Sequence, residues 1–92
     1  MKQKTVDILK AIADDTRLNI VQKLAHEPEP VASCDVVSSC AAFLKLSQPA
    51  MSHHFNKLVD AGVLTVEKQG TQNMYRVDTE ALLAVGIDAT KL

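Results

Sequence analysis

At 92 residues the chain has room for one small domain spanning 1–92, and a core of that size often gains stability from a partner subunit. It is 47% hydrophobic but only 3% aromatic, so the core must be built from Leu, Val, Ile, Ala and Met, which suits helices better than a sandwich. The net charge of −1 argues against an evenly basic surface, but residues 45–76 hold four cations against two carboxylates while the remainder is acidic, so one segment could still dock a polyanion.

Taken in chain order, Val6, Leu9, Ile12 and Ala13 recur at helical spacing and predict a first amphipathic helix over residues 4–13. Asp14 or Asp15 can accept from the free N–H groups of a following turn, and Leu18, Val21, Leu24 and Ala25 predict a second helix to about His26. Glu27-Pro28-Glu29-Pro30 ends it as a short, stiff linker. Ser33 can cap a helix running to Leu44, with Val36, Val37, Cys40, Ala41 and Leu44 as its apolar side. Ser47 repeats the capping logic with Pro49 in the first turn, where a missing N–H costs nothing, and the next helix runs to Ala61 before Gly62. VLTVEK and MYRVD alternate around the polar turn QGTQN, predicting a β-hairpin over 63–78, and Asp78 or Thr79 can cap a last helix through EALLAVGI. The layout is mainly α with a β-hairpin wing: a winged helix-turn-helix.

The helix after Ser47 carries the chemistry. Met51, Phe55 and Leu58 share one stripe, the face expected against the core. Pro49, His53, Asn56 and Lys57 fall on the other side, with Asp60 as the one acidic residue; Ser52 and Gln48 sit on its flank near the helix start that Ser47 caps, where free N–H groups favour phosphate. His54 lies at the border with the core. Adjacent histidines diverge by about 100° on a helix and cannot easily share one metal ion, and no Asp, Glu, Cys or His stands four residues from either. Ser52, His53 and Asp60 also fail as a catalytic set, because Ser52 and His53 diverge and nothing supplies an oxyanion hole, so no enzyme is expected. The plain alternative, a solvated His53 and a packed His54, is weakened by the turn, helix and hairpin around them.

Two stretches, AIADDTRLNI (11–20) and LSQPAMSHHFNKLVDAGVL (46–64), give the chain its resemblance to the ArsR/SmtB family of winged-helix transcriptional repressors; Phe55 stands in a leucine position. The resemblance covers roughly residues 5–78. It implies a homodimer held by the first and last helices, binding a palindromic double-stranded DNA operator. Carried over by position, Gln48, Ser52, His53 and Asn56 would face bases or nearby phosphates, His54 would reach a phosphate from the helix border, and Lys68, Gln72 and Arg76 on the wing would meet the flanking backbone. Two features depart from the family. Lys45 stands where the turn commonly has glycine. The cysteine motif of its metal-sensing members, ELCVCDL, is replaced by EPVASCDVVSSCAAF, and no histidine follows His54 to build a zinc site on the last helix.

Cys34 and Cys40 are too few for a disulfide framework. On one helix they would stand about 240° and ~9 Å apart, so a disulfide between them needs the helix to open or to start after Cys34. Three readings stay open: a thiol sensor of oxidants or electrophiles, a soft-metal or arsenite site completed from elsewhere, or two small buried residues without a sensing role. No cofactor is required. No run approaches the roughly 20 apolar residues that span a bilayer, and MKQKTVDILK lacks the features of a signal peptide, so a cytoplasmic protein without a membrane partner is expected. A winged-helix protein-interaction module is the competing function, since fold alone does not fix activity. It would place large apolar anchors on the outer face of residues 48–57, where only Pro49 is apolar.

Overall fold

The computed structural model describes residues 2–27, 29–32 and 47–92. Helix α1 (Lys2–Ile12) is followed at once by α2 (Asp15–Ala25). Asp14 is the N-cap of α2: its Oδ2 accepts from the Arg17 backbone N–H at 3.1 Å. The helix expected over 33–44, with Cys34 and Cys40, and the turn residue Lys45 lie outside the described residues.

Helix α1 is apolar on two sides. Ile8 and Ala11 enter the core, whereas Val6 and Leu9, on the opposite side, remain 46% and 45% exposed. The stripe that reveals the helix in the sequence is therefore partly a second apolar face.

Helix α3 (Gln48–Asp60) begins as expected, with the Ser47 hydroxyl accepting from the Ala50 N–H at 3.3 Å and Pro49 in the first turn. It ends in a Schellman arrangement: the Gly62 N–H donates to Val59 O at 3.0 Å and the Val63 N–H to Leu58 O at 2.9 Å, with Gly62 at φ +86°. Val63 is thereby turned into the core and starts the chain toward the hairpin.

Strands β2 (Leu64–Gln69) and β3 (Gln72–Val77) pair antiparallel from Leu64↔Val77 to Gln69↔Gln72 around the turn Gly70-Thr71. A two-residue strand β1 (Val31–Ala32) adds to the far edge of β3, through Val31↔Tyr75 and Ala32↔Met74, giving the order β1-β3-β2. Two residues are too few to show alternation, so the sequence gives this strand no signal of its own.

The last helix is shorter than expected. Helix α4 (Thr79–Ala84), capped by Asp78, stops at Val85 because Gly86 adopts φ +86° and the chain repeats the Schellman pattern, Ile87 N–H donating to Leu82 O at 2.9 Å. A separate 3-10 turn, Ala89–Lys91, follows under an Asp88 cap.

The core joins Ile8 and Ala11 of α1, Ile20, Val21 and Leu24 of α2, Met51, Phe55 and Leu58 of α3, and Leu64, Tyr75 and Val77 of the sheet. Leu82 and Ala89 close it from the C-terminal side. Phe55 and Tyr75 stack with centroids 4.6 Å apart, fixing α3 against the hairpin.

Candidate nucleic-acid interface

The surface of interest is the outer face of α3. Burial of Met51, Phe55 and Leu58 sets the rotation of the helix, and with it which side chains point away. Ser47, Pro49, Ser52, His53, Asn56 and Lys57 are all exposed, and Gln48 opens the helix. Serine, histidine and asparagine on one face offer donors and acceptors of the kind that read base edges in a major groove. Lys57 also borders an open cleft of about 320 Å³, lined by Asp7 and Lys10 of α1, Arg17 of α2 and Asp60 of α3.

The two histidines part company. His53 is exposed, and its ring meets His54 edge-on with centroids 5.9 Å apart. His54 turns toward the start of α2, where its Nδ1 lies 3.4 Å from Arg17 Nη1 and 3.8 Å from Asp14 Oδ2, with the side chain 17% exposed. Burial holds its pKa below the ordinary 6.5; the Asp14 carboxylate opposes this, and the Arg17 and His53 charges reinforce it. Asp14 is itself held below 3.8, chiefly by the Arg17 backbone N–H it accepts from; burial opposes this, and the Arg17 and His54 charges reinforce it. Arg17 completes the junction by donating from Nε to Ala11 O and from Nη2 to Lys10 O at 3.5 Å. Neither Arg17 nor Asp14 was legible as a partner of α3, because they stand 37 and 40 residues from His54 and are joined to it only by folding.

The pairing register divides the wing residues between two faces. Lys68, opposite Asn73, shares the face of Leu64, Tyr75 and Val77, the one turned to α3. Gln72 and Arg76 lie on the other face with Glu67 and Met74, and Arg76 borders a 260 Å³ depression beside Leu24, Ala25 and Glu27 at the end of α2. Among the described residues no group of three or more His, Cys, Asp or Glu could hold a metal ion, and no helix is long and apolar enough to cross a membrane.

Comparison with known proteins places this geometry. The family model for bacterial regulatory proteins of the arsR family, a helix-turn-helix group, matches residues 14–66, from the α2 cap through the first half of the wing. A helix-turn-helix-type transcriptional regulator of Methanocaldococcus jannaschii is 39% identical over 75 residues, covering 82% of this chain and 79% of its own. The arsenical resistance operon repressor of Staphylococcus xylosus is 35% identical over 75 residues, covering 82% of this chain and 66% of its own. Among solved structures, HlyU from Vibrio cholerae superposes with a TM-score of 0.73 at 28% identity, covering 91% of this chain and 86% of HlyU; a reduced form of it gives a TM-score of 0.70.

Proposed function

Because the chain belongs to the arsR family of bacterial regulatory proteins, which are transcriptional regulators and not enzymes, we propose that it is a repressor that binds a palindromic DNA operator as a homodimer. The observation that carries the reading is the outer face of α3, exposed, polar, free of large apolar anchors, and held in place by three buried residues beneath it. In this reading residues 1–92 act as one domain in the cytoplasm. Gln48, Ser52, His53 and Asn56 read base edges and adjacent phosphates, and Ser47, Pro49, His54 and Lys57 border the groove. Lys68, Gln72 and Arg76 meet the flanking backbone.

The dimer reading is supported by Val6 and Leu9 of α1 and Leu83 of α4, apolar residues left exposed on the two helices that would form the interface. A two-fold axis between such helices would set two α3 helices about one DNA turn, ~34 Å, apart. Release by thiol oxidation or by a thiophilic ligand at Cys34 and Cys40 is the effector reading; their sequence spacing supports it, and no cofactor is needed for DNA binding itself.

The test is operator binding by gel shift on DNA from the chain's own promoter, with reduced protein, oxidised protein and added thiophilic metal. The expected outcome is sequence-selective, salt-sensitive binding that oxidation or metal weakens and that the Cys34→Ser/Cys40→Ser variant no longer loses. Binding indifferent to sequence would overturn the repressor reading. An unchanged response in the double serine variant would overturn the cysteine reading alone.

A further inference from the structure

Arg17 ties three helices together. Rooted in α2, its guanidinium donates to the Ala11 and Lys10 carbonyls in the last turn of α1, where carbonyls lack partners within the helix, and then reaches His54 on α3. A guanidinium has donors only. The His54 nitrogen that faces it, Nδ1 at 3.4 Å, must therefore present a lone pair, which leaves the ring proton of neutral His54 on Nε2. Asp14, at 3.8 Å, stands too far from Nδ1 to take a proton from it in a hydrogen bond and is already engaged by the Arg17 backbone N–H.

No hydrogen bond reaches the other nitrogen, Nε2, among the described residues, and the His54 side chain keeps 17% of its surface exposed. A histidine held by one nitrogen is oriented as metal-bound histidines are by their outer partners: the bond on one side sets the tautomer and the aim on the other.

We propose that Arg17 is a positioning residue for DNA binding: by occupying Nδ1 it fixes the Nε2–H tautomer of His54 and aims that N–H as an uncharged donor to a DNA phosphate. This rests on the reading that α3 meets DNA, and adds that the contact is set from α2.

The experiment combines two readouts on the full chain. Long-range proton–nitrogen NMR spectra of histidine-labelled protein, recorded above pH about 6.5 with His54 assigned from the His54→Phe variant, report the tautomer. Fluorescence anisotropy on a duplex selected by the wild-type chain from a random-sequence pool reports affinity. Wild-type His54 is expected as the Nε2–H tautomer, and Arg17→Met is expected to give a mixture of both tautomers. Each single variant, Arg17→Met and His54→Phe, is expected to weaken binding by about 5–10-fold, and the double variant no more than about 2-fold beyond His54→Phe. An Nδ1–H tautomer in wild type, or fully additive losses, overturns the proposal; should Arg17→Met fail to fold, the wild-type tautomer alone decides it. A wild-type chain that selects no duplex overturns the DNA reading itself, whereas selection with an unfavourable tautomer or additive losses overturns only the role of Arg17.

Discussion

Phe55, in a position where the family motif has leucine, fills the centre of the α3 core stripe and stacks on Tyr75 at 4.6 Å, so one ring fixes both the rotation of α3 and its distance from the wing. Truncation to Phe55→Ala is expected to cost about 3–5 kcal/mol in urea unfolding, from lost burial and the cavity left behind. Phe55→Leu should cost much less, since it keeps most of the apolar volume. Asp14 makes a prediction in pH. Its folded pKa is depressed, so its contribution is present above the ordinary value of 3.8 and is lost as pH falls through the lower folded value. Asp14→Ala is therefore expected to cost about 0.5–2 kcal/mol near neutrality, as cap removals do, and to approach wild type in acid. Unfolding curves at several pH values check this; a cost that persists unchanged in acid would contradict it. His54, also depressed, favours folding in its neutral form, and that contribution is lost as pH falls below 6.5 through its folded value. The two groups thus weaken the same α2–α3 junction in two successive steps of acidification.

Helices α3 and α4 end by the same device, and its two uses differ in consequence. At Gly62 it redirects the chain so that Val63 enters the core and β2 follows at once; at Gly86 it stops the apolar stretch of EALLAVGI and returns Ile87 against Leu82. Both glycines stand at φ +86°, which side chains with a Cβ adopt only at a cost. A Cβ at Gly86 would meet nothing within 4 Å, so Gly86→Ala isolates that backbone cost, expected at about 1 kcal/mol in urea unfolding. An unchanged midpoint would mean that the helix end can rearrange. The early end of α4 also explains why periodicity overshoots: Val85 and Ile87 remain apolar and packed, but across a reversal of the chain.

At the scale of the molecule, the exposed residues Val6, Leu9 and Leu83, the last 59% exposed, serve no core of their own chain. If they form the dimer, Leu9→Glu and Leu83→Glu should leave the helical circular dichroism unchanged while shifting sedimentation toward the monomer and lowering operator affinity at least 10-fold, because two half-sites are no longer held together. Unaltered sedimentation in both variants would remove these residues from the interface. What the sequence determined by itself was local: a cap at Ser47, caps narrowed to Asp14 or Asp15 and to Asp78 or Thr79, the stripe of Met51, Phe55 and Leu58, the hairpin around Gly70, and the family motif that spans them. Each depends on groups a few residues apart, whose hydrogen bonds and periodicity are written into short stretches of chain. What only the tertiary structure decided was pairing over distance. The two-residue β1 is a strand because β3 offers it a free edge; Lys68 and Arg76 are divided by register; and His54 is a partner of Arg17 and Asp14 because the core beneath α3 holds its border against the start of α2. Such contacts leave no periodic trace in the sequence, since their spacing is set by how the helices pack and not by the geometry of any one of them.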